Sequence, residues 1–345
     1  MTPRARTQSA PASTTDRARG ALLGLAIGDA LGMPTQSLPR EGIEDRYGTV
    51  EGFLDGAADQ PIAPGMPAGS ITDDTEQALI VARLTIAGEG IVDGHEFAAA
   101  LIAWEQDMIA RGSLDLLGPS TRSALATLQA GAPLEETGRY GTTNGAAMRI
   151  APVGIAHRPG PGLVEAVVAA SRVTHNTGLG ISGAAAIAAA VSAGIDGADT
   201  DEALEMAHSA ALEGHTRGHW VAGGSIPARF AAHRDHVRAL DPASAATYLY
   251  DVVGTSVQSQ ESVVAALLLV DRGRLAPFDT LCTAASLGGD TDTVAAMAGA
   301  VLGAVHGPGA FPDAVLRQVL EVNDLDLDPL VRQLLAVRHT STTTR

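Results

Sequence analysis

The chain has 345 residues, of which 46% are hydrophobic and only 3% aromatic, and its formal charge is −16, from 23 basic and 39 acidic residues. That much apolar side chain suffices for one large domain or two ordinary ones, while the acidity repels nucleic-acid phosphates and suits divalent cations instead. Every basic residue is an arginine, which excludes a P-loop lysine, a Schiff base and a pyridoxal phosphate attachment.

Residues 1–15 are polar and rich in Arg, Ser, Thr and Pro, and 340–345 are similar. Both stretches read as disordered tails around one domain at 16–339. The apolar run GALLGLAIGDALG is interrupted by Asp29, shows no A-x-A cleavage pattern and is too short to cross a membrane. The expectation is a soluble cytoplasmic protein with no membrane partner. Within this run Gly20, Gly24, Gly28 and Gly32 fall nearly on one helical face. Glycine costs helix stability, so a stripe of four implies a second helix packed very closely. Gly299, Gly303 and Gly307 repeat the spacing.

Residues 33–70, rich in Gly, Pro and Asp, read as a long irregular segment of the kind that is usually functional. From 71 onward the periodicity is helical, with predicted helices at 74–88, 95–111, 118–130, 163–172, 179–193, 200–213, 243–255, 260–270, 277–286, 292–306 and 313–321. No alternating strand run exceeds a few residues, and alanine abounds. The expectation is a single all-α domain. Cys282, the one cysteine, allows no intramolecular disulfide and reads as a small core residue.

Two acidic clusters carry the chemistry. GSITDDTEQ holds Thr72, Asp73, Asp74 and Thr75, and LGGDTDT holds Asp290, Thr291, Asp292 and Thr293, each opening an Ala-rich helix. Either alone reads as helix capping. Together they supply hydroxyl and carboxylate oxygens without histidine or cysteine, which disfavours zinc and suits Mg2+ or Mn2+, read as a carboxylate-bridged pair. An EF-hand does not fit the second cluster, because Val294 and Val301 fall where oxygen ligands are needed. His215 and His219 have helical metal spacing but lack the glutamate of HExxH, and read as coincidental.

GALLGLAIGDALG, the TDDT loop, TTNGAAMRIAPVGI (142–155), VTHNT (173–177) and LGGDTDT resemble, in that order, the ADP-ribosylglycohydrolase family, from about residue 17 to about residue 338. The resemblance implies an all-α fold with two Mg2+ ions in a central cleft, held by Thr72, Asp73, Asp74, Asp290, Asp292 and Thr293. It implies hydrolysis at C1″ of an ADP-ribosyl group on a protein side chain or small molecule, releasing ADP-ribose; a nucleic acid enters only as a modified end. Asp115 resembles the family aspartate that handles the attacking water, alongside Asp74 and Asp292 in the catalytic set; a capping aspartate is the alternative. Asn144, Gly145 and Met148 of the TTNGAAMR loop, Arg149, His175 and the Gly288–Gly289 pair are then substrate contacts. Backbone N–H groups at Asn144 and Gly145 suit the diphosphate; Arg149 neutralises it or forms an internal salt bridge. Glu261 lies in another family-like stretch.

One position departs from the family. Several members carry a glutamate acid/base shortly after GDALG, where this chain has Gln36. Glutamine takes no proton at neutral pH, which disfavours glutamate-dependent serine-linked chemistry, leaves Asp115 or a metal-bound hydroxide as the base, and makes Gln36 a substrate contact. Three readings follow: a Mg2+-dependent glycosidic hydrolase, a non-catalytic ADP-ribose or nucleotide binder on the same fold, and a two-metal diphosphate hydrolase.

Overall fold

The computed structural model describes residues 12–340. The expected tails lie outside these residues except at their inner edges, where the structure is helical. Helix α1 (Thr14–Gly32) begins before residue 16, because Ser13 Oγ accepts from Asp16 N (3.1 Å) while the Asp16 carboxylate accepts from Ser13 N (3.1 Å).

The helices that follow are α2 (Arg40–Tyr47), α3 (Asp73–Ala87), α4 (Gly94–Ala110), α5 (Pro119–Gln129) and the short α6 (Leu134–Thr137), α7 (Gly145–Met148) and α8 (Ala151–Ala156). Then come α9 (Pro161–His175), α10 (Gly178–Ile195), α11 (Thr200–His215), α12 (Ile226–Ala239) and α13 (Pro242–Tyr248). The chain ends with α14 (Ser259–Arg272), α15 (Pro277–Ala285), α16 (Thr291–His306), α17 (Asp313–Val322) and α18 (Asp328–Thr340). Among the described residues there are isolated β-bridges and no sheet. The all-α expectation is met.

Some elements differ from the sequence reading. Residues 243–255 are not one helix: α13 stops at Tyr248, a π-helical turn spans Leu249–Val253, and Gly254 ends it. The turns α7 and α8 fill the stretch read as a phosphate loop, and α2, α12 and α18 are helices that the sequence reading does not include.

The glycine stripes of α1 and α16 lie against each other, antiparallel. A Cβ on Gly20 would come within 2.3 Å of the Gly303 carbonyl oxygen, on Gly24 within 2.1 Å of that of Gly299, and on Gly28 within 2.1 Å of that of Ala295. On Gly32 it would reach Asp292 Cα at 2.3 Å, so the close approach continues to the acidic turn of α16. Helix α10 is buried over its whole length and packs on α11, α8 and α16. Among the described residues it alone is long and apolar enough to cross a membrane, but all of it lies inside the bundle. The result is a rigid core from which the end of α1 and the starts of α3 and α16 emerge together.

The contact predicts an asymmetry between glycines. Gly24→Ala forces a methyl against backbone that cannot swing aside, a type of overpacking that costs typically about 1–3 kcal/mol. Gly162→Ala in α9 meets nothing within 4 Å and leaves or raises stability. Thermal unfolding should therefore drop by several degrees for the first variant only; equal melting of the two would refute the account of the stripe.

Candidate active site

The site is built outward from Asp29, which is fully buried in α1. Its carboxylate accepts from the backbone N–H groups of Thr72 and Thr75 (3.0 and 3.1 Å) and from their hydroxyls (2.7 and 2.5 Å). These four bonds pin the first acidic cluster at the start of α3. The second is pinned to the end of α1, where Thr291 Oγ1 donates to Gly32 O (3.1 Å) and also meets Thr35 Oγ1 (2.9 Å). The clusters then touch directly: Thr293 Oγ1 donates to Asp74 Oδ2 at 3.2 Å. From a third direction Asn144 Nδ2 donates to Asp290 Oδ2 at 2.5 Å.

Four carboxylates thus share a small volume. Asp74 and Asp292 are buried, and Asp73 and Asp290 are half-buried at the cleft. Burial, followed by mutual repulsion, holds Asp73, Asp74 and Asp292 well above the usual carboxylate range; Asp290 is raised by burial. No arginine forms an ion pair with any of them among the described residues, and Asp74 Oδ1 is buried without a hydrogen-bond partner. No three His, Cys, Asp or Glu side chains of the described residues surround a single point as a finished metal cage. The donor set is all oxygen, uncompensated and orphaned at one atom, and so fits a hard divalent cation.

Asp115 reaches this group from the loop before α5. It is buried, its Oδ2 accepts from Asp73 N (2.9 Å), and burial, then the charges of Asp29 and Glu76, push its pKa up to about 7. The capping reading and the functional one coincide here, since the carboxylate caps α3 from outside while facing the cleft. Gln36 lines the same cleft. Its main-chain carbonyl accepts from Gln60 Nε2 (2.9 Å), whereas its own Nε2 is buried at the cleft without a partner.

The cleft measures about 310 Å³ and has Asp73, Asp290, Asp292 and Thr293 at its acidic end. Gln36 and the 114–117 loop line its sides, with the start of α5 beyond. The only basic residue among its lining is Arg122, exposed beside the N-terminus of α5, which carries no side-chain cap. A larger cavity of about 570 Å³ abuts it across Ile62 and Leu114.

The structure brings together Asp73, Asp290, Asp292, Thr293, Asp115, Gln36, Asn144, Gly145 and Met148 on the cleft, with Thr72 and Asp74 directly behind. It corrects four expected substrate contacts. Arg149 is 1% exposed, lies over the Phe97 ring at 4.8 Å and donates to Gln77 and Thr174, so it neither reaches the cleft nor forms a salt bridge. His175 is 0% exposed, walled off by Gly145, whose added Cβ would sit 3.0 Å from its ring. Gly288 and Gly289 adopt φ of 91° and 81°, which glycine alone takes easily. Their backbone groups bond to Leu38, Ser37 and Thr255 rather than facing the cleft. Asn144 lines the cleft, but its N–H is taken by Val257 O (2.9 Å) and is no phosphate donor. Glu261 binds Ser256 away from the cleft.

Sequence reasoning missed Asp29, Gln77 and Thr143 as parts of the site. Asp29 left one signal, a carboxylate inside a stripe of buried glycines, which requires partners to be stable there.

Comparison with known proteins identifies the family and the fold. The family model described as ADP-ribosylglycohydrolase matches residues 10–343. The chain is 34% identical to the uncharacterized protein YegU of Escherichia coli (strain K12), over 94% of this chain and 98% of that one. It is 31% identical to the ADP-ribosylarginine hydrolase Tri1 of Pseudomonas putida (strain GB-1), over 90% of this chain and 76% of the other. ADP-ribosyl-[dinitrogen reductase] glycohydrolase of Rhodospirillum rubrum is 26% identical over 94% and 97% of the two chains. Among solved structures, an ADP-ribosylglycohydrolase-related protein complex superposes with a TM-score of 0.66 at 26% identity, over 95% of this chain and 99% of that one.

Asp115 carries a pH signature. Its folded pKa of about 7 lies above the ordinary 3.8, so the folded form holds a proton that the unfolded chain releases. Its contribution to stability therefore falls as pH rises from about 4 to about 7. In chelator, Asp115→Asn should flatten the decline of melting temperature across that window. An unchanged slope in the variant would show that this carboxyl does not titrate there.

Proposed function

The chain belongs to the ADP-ribosylglycohydrolase family, and we propose that this ADP-ribosyl glycohydrolase cleaves the N-glycosidic bond between C1″ of ADP-ribose and an arginine guanidinium, in a divalent-ion-dependent reaction. The observation that carries the reading is the convergence of both Thr-Asp clusters and a carboxyl of pKa about 7 on one cleft. Thr72, Asp73, Asp74, Asp290, Asp292 and Thr293 would hold two Mg2+ ions, or Mn2+. When bound, the ions supply positive charge that offsets the carboxylates and orders ribose hydroxyls.

The chain's own residues perform the rest. The bare N-terminus of α5 and Arg122 take the diphosphate at the far end of the cleft, together with the 142–149 stretch to which sequence reasoning gave that role. Asp115 receives the proton of the attacking water as the C1″–O bond forms and the C1″–N bond breaks. The bond's electron pair goes to a guanidinium nitrogen, which departs as neutral guanidine and takes up a proton afterwards. That departure needs no acid. A serine oxygen would leave as an alkoxide, and Gln36, standing at the cleft, has no proton to give. The likeness to a relative named for ADP-ribosylarginine supports the same choice, and the adjoining cavity gives a protein-borne acceptor somewhere to lie.

Two experiments test this. Arginine-linked and serine-linked ADP-ribosyl peptides are offered with Mg2+, with Mn2+ and with EDTA. The expected result is ADP-ribose from the arginine substrate only, lost in EDTA and in Asp73→Asn and Asp292→Asn. AMP as product, no product, or full activity in chelator each contradict the proposal. Second, Asp115→Ala should lower kcat by ~10²–10⁴-fold, and Gln36→Ala by roughly tenfold at most, the loss of one neutral hydrogen bond. The reverse order would show that the base has been misassigned.

A further inference from the structure

A chain of buried hydrogen bonds leaves the cleft at Asp73 and returns to it at Thr143. Gln77 Nε2 donates to Asp73 Oδ2 (2.9 Å), and Gln77 Oε1 accepts from Arg149 Nη1 (2.9 Å). Arg149 Nη2 donates to Thr174 Oγ1 (2.5 Å), which bonds His175 Nδ1 (2.7 Å), and His175 Nε2 bonds Thr143 Oγ1 (2.8 Å). Thr143 lines the cleft; Thr174 and His175 are 0% exposed.

Arginine fixes the direction of every bond, because it only donates. Thr174 Oγ1 must accept from it, and its hydroxyl hydrogen then goes to His175 Nδ1. That leaves His175 with its hydrogen on Nε2, donating to Thr143 Oγ1. The opposite tautomer would make Thr174 accept twice and strand its hydroxyl hydrogen in the core, where no acceptor stands. A stranded buried donor costs free energy; the first arrangement strands neither the Thr174 hydroxyl hydrogen nor the His175 ring hydrogen. Burial and the nearby Arg149 hold the His175 pKa well below its ordinary value, so the ring is neutral. Among the hydrogens of the two threonines and the histidine, the one without an acceptor is then the Thr143 hydroxyl hydrogen, at the cleft surface; Arg149 Nε lacks a partner in either arrangement.

We propose that Thr143 is a ligand-binding residue of this cleft, its hydroxyl obliged to donate to a diphosphate oxygen of the ADP-ribosyl group by a relay that begins at Arg149. Arg149, Thr174 and His175 are its positioning residues. The inference rests on the substrate class proposed above. The Thr143–Gly145 strand is anchored, with Thr143 O accepting from Ser259 Oγ (2.7 Å), and a Cβ on Gly145 would lie 3.7 Å from Thr121 Oγ1. Gly145 thus borders the start of α5, Thr143 lines the same cleft as that wall, and a compelled donor matches a group that only accepts. Gln77 gives the same arginine a second effect: with Oε1 held by Arg149, its amide can present only N–H to Asp73.

Two readouts test the relay in the full chain. Nitrogen-15 spectra of histidine-labelled protein should show His175 as the Nε2–H tautomer, whether or not a ligand binds; an Nδ1–H tautomer or an imidazolium overturns the relay. Calorimetry with ADP-ribose should show Thr143→Val weakened about ten- to hundredfold, as for loss of a hydrogen bond to a charged acceptor, and Thr143→Ser restored to within about threefold of the parent. Equal weakening of both variants, or of neither, overturns the role of the hydroxyl. If the parent itself binds no ADP-ribose, the substrate reading and the ligand assigned to Thr143 both fall, and the tautomer alone decides the relay.

Discussion

The contact of α1 with α16 is the constraint on which the rest depends. Helices ordinarily lie 8–10 Å apart because side chains stand between them. Here glycine faces glycine, and main chain meets main chain from Gly20 and Gly303 to Gly32 and Asp292. Three consequences follow from one contact. Asp29 is carried into the core beside the start of α3, Thr291 is brought to the Gly32 carbonyl, and Asp292 is delivered without room to retreat. A wider spacing would preserve both helices and lose the site.

That rigidity opposes a strong electrostatic tendency. Asp73, Asp74, Asp290 and Asp292 all resist ionisation in this setting, through burial and for three of them mutual repulsion, and on their own would push the acidic turns apart. The scaffold counters with neutral donors: Thr293 directs a hydroxyl hydrogen at Asp74 and Asn144 an amide hydrogen at Asp290, while the Thr72 and Thr75 hydroxyls bond Asp29 and hold the start of α3 in place. Hydroxyls suit this task because they lower the cost of a buried negative charge without neutralising it, so affinity for a cation is retained. A lysine or arginine in the same place would stabilise the fold better and close the site to an ion.

Much of this was legible in the sequence for identifiable reasons. The glycine stripe has a helical period, and the paired acidic clusters have a donor chemistry that capping alone does not need, so helix class and acidic centre could both be read. Gln36 and Asp115 were also readable, by their place relative to GDALG and RGSLD. Arg149 and His175 were misread because a charged residue in a motif looks the same whether it faces a ligand or a buried neighbour. Only the fold shows that Arg149 lies over Phe97 and ends on neutral partners. The π-helical turn at Leu249–Val253 was invisible for another reason: its composition is that of α-helix, and the extra residue is set by the tertiary need to place Thr255 against Gly288 and Asp290.

The proton inventory of the cleft links these features to chemistry. A glycosidic hydrolase needs a base for its water and, when the leaving atom is a poor anion, an acid for that atom. This cleft holds one group with a pKa near neutrality, Asp115, and an amide, Gln36, in the same lining. The amide donates a hydrogen bond but no proton, and on the function proposed above the substrate meets the acidic role itself. A guanidinium meets it, because its positive charge makes the departing nitrogen neutral on leaving. The same charge is welcome in a cleft whose lining includes four aspartates and a single arginine. Replacing one carboxylate by its amide therefore need not disable a site of this kind. On the function proposed above it restricts the site to leaving groups that bring their own charge, and the four clustered carboxylates, Asp115 and the compelled donor at Thr143 fit that division of labour.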